Sequence, residues 1–563
     1  MGSKASGKLA RAAKRVRGMK ARSMVGLGLL LLTLFLVTLP IIALVVIAFG
    51  DAGDVWPHLV STVLPRSVMT TIWLMLGVGT MTALIGVSTA WLVTMCRFPG
   101  QQIFQWALLI PLAIPTYIVA YASVELLDYS GPAQSALRWL FGFRNARDYW
   151  FPEVRSLGGA IVVMSLVLYP YVYLTSRATF LLQSACALDV SRTLGAGPVR
   201  LFAAVALPLA RPAIVVGITL AMMECLNDIG AVQFFGVKTL TFSVYDTWLN
   251  RASLAGAAQI STVMLLVVLL LLWIERRGRR QQRYAVTSRR YQALPSYQLS
   301  GLRSILAMLV CLAPIVLGFL LPAMVLLRSA ILNWSENLSA DYFSAMGNSL
   351  FLSSFAAILT ASVGITLAYF ARLQKNRLVA GFTRIASIGY AVPGTVLAVG
   401  ILIPVASLDN FIASSMRDLF GISTGLLIIG SGAAMLYAYC VRFMAMSYGA
   451  GETGLQRVSP NLEAAARTLG RSPMRTLIEI DLPMIRPALV SGALLVFVDV
   501  MKELPATILL RPFNFDTLAT LVYGQASLEA FEKGSLSALT IVAVGILPVI
   551  LLSRTSTRSH QSE

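Results

Sequence analysis

Apolar runs long enough to cross a lipid bilayer recur along the whole chain, and they limit its fold more than any other feature. A membrane-spanning helix needs about 20 apolar residues, because each residue advances it by about 1.5 Å. Twelve such runs lie at 24–50, 68–95, 103–127, 157–182, 212–235, 256–274, 304–331, 345–371, 381–406, 422–446, 487–511 and 535–553. The sequence therefore predicts an all-α, polytopic membrane protein with about twelve transmembrane helices.

The composition supports this prediction. Hydrophobic residues make up 57% of the chain and charged residues 12%, whereas soluble proteins carry about 25% charged residues. The formal net charge is +20, but the basic residues lie beside apolar runs and not on an amphipathic surface. We expect the lipid bilayer, and not a nucleic acid, to be the surroundings of this chain.

Cysteine and histidine positions argue against catalysis. The two histidines are His58 and His560, so no zinc peptidase motif and no serine–histidine pair can form inside the membrane. The five cysteines have no C-x-x-C spacing and imply neither a disulfide framework nor a metal site; they are Cys96, Cys186, Cys225, Cys311 and Cys440. We expect no catalytic residues and no metal ligands, and hence no enzyme.

The distribution of lysine and arginine predicts the orientation, because these residues concentrate on the cytoplasmic side. With the N-terminus inside, basic residues are about three times as frequent on the inside as on the outside. Residues 1–23 then form a basic cytoplasmic tail, 276–303 a basic cytoplasmic connector and 554–563 a cytoplasmic tail. The first apolar run is too long for a cleaved signal peptide and is expected to remain as the first helix.

A long internal repeat divides the chain into two halves. Residues 192–217 align without gaps to residues 467–492, and half of the positions are identical. A weaker echo pairs Gly86 with Gly364 and Pro115 with Pro393. The halves are predicted at 24–275 and 304–553. Each has six spans, so the two six-helix repeats run parallel.

The repeated blocks lie in two predicted cytoplasmic loops, 184–211 and 459–486. In the second loop, Ser459 and Pro460 predict a helix start and Gly470 predicts its end. A second short helix is expected from Ser472, with breaks at the prolines that precede the next span. The first loop has the same pattern. Amphipathic connectors lying on the lipid surface are an alternative interpretation, but lipid anchoring does not require the same glycine and proline positions twice.

At these residues the chain resembles the EAA loop of permease subunits of ATP-binding-cassette importers, whose glycine precedes an I-x-LP ending. Gly470, Ile480, Leu482 and Pro483 match this ending. The Glu-Ala-Ala positions hold residues 464–466, with Glu463 one place early. The resemblance implies coupling helices at 185–194 and 460–469 that dock on the ATPase. The implied coupling residues are Asp189, Arg192, Gly195, Pro208, Glu463, Ala465, Arg467, Gly470 and Pro483.

Two further stretches, 149–160 and 499–523, look like fused two-half permeases of ferric-iron importers. The resemblance covers the chain from the first helix to the twelfth. It implies a type I importer permease in a bacterial inner membrane, with both termini cytoplasmic. Its partners would be two copies of an ATPase subunit and a periplasmic or extracellular substrate-binding protein, and iron(III) the substrate. Related permeases for thiamine, polyamines or aminophosphonates are alternatives.

Ionisable residues inside the predicted spans are also duplicated. Their spacing of i, i+3 and i+4 places each set on one helix face, and such residues usually line a bundle interior or a watery path. The summed formal charge of each set is negative, which favours a cation. The alternative is a set of local pairs that only lock the helices. The candidate pathway residues are Glu224, Asn227 and Asp228 in the first half and Asp499, Lys502 and Glu503 in the second.

The chain is not expected to bind a nucleotide. Residues 2–8 read GSKASGK, but Leu9 stands where a phosphate-binding loop needs serine or threonine. We therefore expect no cofactor on this chain, with ATP and magnesium on the partner ATPase. A transporter driven by an ion gradient is a competing hypothesis, because such proteins also use twinned halves and buried carboxylates.

Overall fold

The computed structural model describes most of the chain, and the described residues are largely helical. They are 27–51, 53, 55–182, 191, 193–194, 197–280, 297–374, 379, 381, 383, 385 and 388–561. Among them the paired strands are Cys96–Arg97 and Tyr297–Gln298, which run parallel. The prediction of an all-α fold is confirmed for this part of the chain.

Ten helices in the described ranges are long and apolar enough to cross a membrane. Apolarity all along such a helix is what the bilayer requires, because its backbone groups are satisfied internally and its side chains face lipid. These helices are Leu27–Ala48, Trp56–Met95, Leu157–Leu181, Pro198–Asn227, Leu254–Gly278, Leu302–Leu332, Ala340–Leu373, Gly394–Phe420, Pro473–Met501 and Phe531–Pro548.

Further helices connect or extend these spans. They are Gln101–Ala107, Thr116–Leu127, Pro132–Phe141, Gly230–Phe234, Leu240–Tyr245, Trp334–Asn337, Ala433–Gln456, Pro460–Thr468, Pro505–Leu510 and Leu518–Ser527. Single 3₁₀ turns occupy Ile110–Ala113, Ile388–Ala391 and Ile429–Ser431.

Each of the twelve predicted spans overlaps a helix of the described residues, but several are interrupted. The fifth and the eleventh are interrupted after Asn227 and Met501. The ninth, 381–406, includes the 3₁₀ turn Ile388–Ala391 and residues that the structure does not describe. The third is a pair of helical segments, Gln101–Ala113 and Thr116–Phe141, bent by 90° at a break that contains Pro115. Proline lacks a backbone N–H and restricts the residue before it, which explains a break at this place. The tenth falls on Ala433–Gln456, a helix of 24 residues that contains Arg442 and Glu452. With the bent pair counted, the described residues hold eleven spans of sufficient apolarity.

The described chain packs as two compact units. The smaller unit joins residues up to Leu44 with Phe351–Val392 and Gly400–Val500. One of its apolar clusters contains Leu30, from the first helix, against Leu367 and Met444. The larger unit comprises Val45–Leu350, Pro393–Val399 and the residues from Met501 onward. The first helix of the sequence is thus part of a unit built mainly from the second half.

The weaker sequence match between the halves, at Gly86 and Gly364, has a packing cause. A Cβ atom at Gly86 would lie 2.8 Å from the backbone nitrogen of Tyr173, on the helix Leu157–Leu181. A Cβ atom at Gly364 would lie 2.8 Å from the carbonyl carbon of Ser447, on the helix Ala433–Gln456. Both glycines therefore allow two helices of one unit to approach at the same point of the repeat.

Candidate functional site

The predicted second coupling helix is present as Pro460–Thr468, called here the coupling helix. Ser459 is its N-cap, because its hydroxyl accepts the backbone N–H of Asn461 at 3.3 Å, and Pro460 is its first residue. Gly470 follows the helix with a φ of +84°, a left-handed conformation that L side chains rarely adopt. The start and the stop predicted from the sequence are confirmed.

The inner face of the coupling helix carries a buried ion pair. Glu463 is 4% exposed, and its Oε1 lies 2.8 Å from Nε of Arg372. Its Oε2 lies 3.2 Å from Nη2 of Arg467, one turn further along the helix. Arg372 belongs to the last turn of the helix that begins at Ala340. A transmembrane helix of the smaller unit thus holds the coupling helix through a charged contact that sequence analysis did not identify.

Arg372 also contacts the chain that leads into the coupling helix. Its guanidinium donates to the carbonyl oxygens of Leu455 and Val458, the latter at 2.8 Å. One turn earlier, the hydroxyl of Tyr369 donates to the carbonyl oxygen of Pro473 at 2.8 Å, just after the coupling helix. The end of one transmembrane helix therefore fixes the coupling helix at its entry, at its buried face and at its exit.

Exposed apolar side chains follow the coupling helix. Leu469 is 83% exposed and Met474 is 59% exposed. At the aligned positions of the first copy, Leu194 is 82% exposed and Val199 is 80% exposed. The two copies thus share large exposed apolar side chains at the same two positions. Ala465 and Arg467 are also exposed on this helix.

Three of the predicted coupling residues of the first copy, Asp189, Arg192 and Gly195, lie outside the described residues. Pro208 and Pro483 are both exposed, at corresponding places in the two halves.

The expected breaks at these prolines are wrong. In both halves the second short helix continues into the span, as Pro198–Asn227 and Pro473–Met501. A five-residue π-helical turn precedes each proline, at Phe202–Ala206 and Leu477–Asp481. The wider turn changes the hydrogen-bond pattern immediately before a residue that cannot donate, so the helix passes through the proline without stopping.

Two of the predicted pathway residues in the first half act as caps. Asp228 is 8% exposed and accepts the N–H of Ala231 at 2.9 Å and the hydroxyl of Thr116. Asn227 accepts the N–H of Gly394 at 2.7 Å, at the start of the helix Gly394–Phe420. These side chains satisfy N–H groups that a helix start leaves without intrahelical partners.

Glu503 has the same role in the second half. It is 5% exposed and accepts the N–H groups of Ala506 and Thr507 at 3.2 Å, at the start of the helix Pro505–Leu510. Asp228 and Glu503 occupy aligned positions of the repeat, and each follows the end of a long helix. The carboxylates therefore mark a duplicated helix break, which their i, i+3, i+4 spacing does not reveal.

The other predicted pathway residues are half-buried. Glu224 lies on the helix Leu207–Asn227, and Asp499 lies near the end of the helix Leu482–Met501. Asp499 belongs to the smaller unit, whereas Lys502 and Glu503 belong to the larger unit with Glu224. Within the described residues, no three His, Cys, Asp or Glu side chains are placed to hold a metal ion.

Two tyrosines of the fourth span are packing residues. Tyr169 and Tyr173 are fully buried, and their hydroxyls donate to the carbonyl oxygens of Leu108 at 2.8 Å and Gln105 at 2.9 Å.

Comparison with known proteins agrees with this architecture. Residues 82–280 and 360–560 each match the family described as binding-protein-dependent transport system inner membrane component. The chain is 26% identical to the Fe(3+)-transport system permease protein FbpB 2 of Haemophilus influenzae, over 84% of this chain and 86% of that protein. It is 21% identical to the ferric transport system permease protein FbpB of Actinobacillus pleuropneumoniae, over 84% of this chain and 68% of that protein.

A shorter relative covers less of the chain. The molybdenum transport system permease protein ModB of Escherichia coli is 27% identical over 34% of this chain and 86% of its own length. The family match extends over more than half of the residues and occurs once in each half. The chain is thus a multi-span, fused two-half permease that belongs to the family of inner membrane components of bacterial binding-protein-dependent transport systems.

Proposed function

We propose that this chain is the permease subunit of an importer that carries iron(III) across the bacterial inner membrane. A substrate-binding protein delivers the ion, and ATP with magnesium is hydrolysed on a separate subunit. The observation that carries the proposal is the duplicated coupling segment, with an exposed leucine at the same position in both copies. Ferric permeases that align over 84% of the chain support iron as the cargo.

Two ATPase subunits fit this arrangement, one for each coupling segment. The coupling residues act in two ways. Leu194 and Leu469 supply the apolar contact to the ATPase, and Glu463 with Arg467 and Arg372 keeps the second coupling helix fixed to its span. When the ATPase subunits close, the segments move together and carry the spans between inward-open and outward-open states.

The predicted pathway residues have two different roles. Asp228 and Glu503 shape the helix breaks, because their carboxylates already accept backbone N–H groups. Glu224 and Asp499 lie on the two long helices that precede these breaks, and Lys502 directly follows the second of these helices. All three side chains are half-buried, and we assign them to the path of the ion. The contacts of the Glu224 and Asp499 carboxylates with the ion are weak, because tight coordination would hold it in the membrane.

We infer that both coupling segments and both termini lie in the cytoplasm. Support comes from the excess of lysine and arginine on that side of the predicted spans.

Uptake by reconstituted vesicles tests the function. The permease, its ATPase and its binding protein are placed in liposomes, and the uptake of labelled iron(III) is compared with that of thiamine, a polyamine and an aminophosphonate. We expect ATP-dependent uptake of iron alone. Uptake of another compound in place of iron would overturn the assignment of iron(III) as the cargo. Uptake that persists without ATP and the ATPase would favour a transporter driven by an ion gradient.

A further inference from the structure

Asp481 is a fully buried carboxylate close to the contact between the coupling helix and its span. It is the last residue of the π-helical turn Leu477–Asp481, and its exposed fraction is 0%. Neither of its carboxylate oxygens has a hydrogen-bond partner among the described residues. The I-x-LP ending allows any residue at this position, so the resemblance to importer permeases assigns Asp481 no role.

A carboxylate without a partner is unfavourable at this place. Buried carboxylates are nearly always hydrogen-bonded or paired with a cation, because an ionised group that leaves water needs compensation. The aligned position of the first half holds Ala206, which is also 0% exposed. Packing of the repeat therefore does not require a charge here, and the carboxylate calls for another explanation.

Asp481 lies on the helix face that packs against the end of the eighth span. Leu477 and Ile485 are four residues before and after it, and both belong to an apolar cluster that includes Tyr369. Residues four apart share one face of a helix. Tyr369 precedes Arg372 by one turn of the same helix. Asp481 is thus directed to the end of that helix, where it interacts electrostatically with Arg372.

The ion pair that Arg372 makes in this structure is poorly aligned. Its Nε lies 2.8 Å from Oε1 of Glu463, yet this oxygen accepts no hydrogen bond of acceptable geometry. The guanidinium also donates to the carbonyl oxygens of Leu455 and Val458. A buried ion pair is strong only when its geometry is excellent. Arginine has five N–H donors, so Arg372 can pair with a second carboxylate and keep both carbonyl contacts.

The first half has an aromatic contact where the second half has this charged one. At the offset that relates the halves, Thr94 stands in place of Arg372 and Trp91 in place of Tyr369. The ring centroid of Trp91 lies 4.9 Å from that of Phe202. Aromatic packing of this kind has a single arrangement, whereas an arginine near two carboxylates has two discrete ones. The charged contact is therefore suited to a change of state in the second half.

We propose that Asp481 is a positioning residue of coupling, as the alternative ion-pair partner of Arg372. In this structure Arg372 pairs with Glu463. When the ATPase displaces the coupling helix, Glu463 moves with the helix and keeps its pair with Arg467, which lies one turn along at 3.2 Å. Arg372 then pairs with Asp481, so that no buried arginine is left without a partner in either state. The inference rests on the proposed ATP-driven import, but not on iron(III) as the cargo.

Asp481→Asn tests this role, because asparagine keeps the size of the side chain and removes its charge. In the resting complex of permease and ATPase, we expect an unfolding temperature equal to or above that of the wild type, because the carboxylate has no hydrogen-bond partner there. Stimulation of ATP hydrolysis by loaded binding protein should fall about tenfold, a typical coupling effect. Glu479→Gln is the control and should change neither, because Glu479 is on the same turn but its side chain is 43% exposed and pairs with Arg471.

Vanadate trapping separates the two states, because vanadate with ATP holds the ATPase subunits closed. The trapped fraction should fall in Asp481→Asn and stay normal in Glu479→Gln. In a permease that already carries Arg372→Met, adding Asp481→Asn should cause no further loss of stimulation or trapping, because both residues act through one contact.

Three results would each overturn the role of Asp481 while the proposed function stands. They are an unfolding temperature of Asp481→Asn below that of the wild type, unchanged stimulation and trapping in this variant, and a further loss when it is added to Arg372→Met. A wild type whose ATPase is not stimulated by loaded binding protein would overturn the proposed function as well.

Discussion

At the scale of single residues, Glu463 illustrates what the sequence alone can predict and what it cannot. Its position one place before the Glu-Ala-Ala site predicts a coupling role, and the structure places its carboxylate on the inner face of the helix, against Arg372. The sequence could not predict this partner, because Arg372 belongs to a different helix and its charge resembles that of any basic residue at a span end. Asp228 and Glu503 are similar cases, since the spacing indicates a face but not the N–H groups they accept.

We expect Arg372→Met to destabilise the permease and to uncouple it. Removing one partner of a buried ion pair leaves the other charge unpaired, at a cost of about 3 kcal/mol. Thermal unfolding and the stimulation of the ATPase by loaded binding protein measure the two effects. Arg467→Met is the control, because the side chain of Arg467 is 55% exposed and its pair contributes about 1 kcal/mol or less.

Adding Glu463→Leu to Arg372→Met should restore most of the stability, because two apolar side chains replace a buried ion pair at little cost. We expect the ATPase to remain poorly stimulated, since the contacts of Arg372 with Leu455 and Val458 are still missing. Full recovery of stimulation would show that the arginine has no positioning role.

At the scale of elements, the sequence predicts the start and the end of the coupling helix correctly, but it does not predict that the next helix continues through its prolines. Ser459, Pro460 and Gly470 predict the coupling helix because caps and turns depend on neighbouring residues. The prolines at the start of the eleventh span predict breaks, yet the helix continues because a π-helical turn precedes them. Whether a helix bends or adopts a π turn depends on its packing, which a proline in the sequence does not specify.

We expect Gly470→Val to impair coupling while the protein still inserts into the membrane. A β-branched residue is strained at a φ of +84°, although there is open space around this glycine. The coupling helix would then lose its stop and its exit angle. Gly347→Val is the control, because Gly347 also has open space but lies within a helix. Transport and ATP hydrolysis are measured together, and an unchanged ratio of the two would contradict the role of the turn.

At the scale of the whole molecule, the repeat correctly indicated two halves, and the family match in each half agrees with it. The repeat could not predict which helices pack together in each of the two units. Helix periodicity indicates which residues avoid lipid, but it does not indicate which helix they contact. A cavity of the larger unit is likewise lined by residues distant in the sequence, from Tyr117 to Glu529.

The proposed pair of ATPase subunits predicts a stepwise loss of binding. Leu194→Asp or Leu469→Asp alone should leave about one ATPase per permease, and the double variant none, because a charge replaces a desolvated apolar contact. Native mass spectrometry of the complex counts the subunits. Leu528→Asp is the control, because this leucine is 76% exposed on the predicted outer side. A single variant that still binds two ATPase subunits would contradict separate docking of each segment.

The assignment of the first helix to the smaller unit has a consequence for biosynthesis. Leu30 packs with Leu367 and Met444, which the ribosome adds hundreds of residues later. During translation this helix enters the bilayer and must wait there until its partners emerge, since their packing surface does not yet exist. A gene divided between the halves would therefore yield two polypeptides, of which the second could complete the smaller unit only after meeting the first in the membrane.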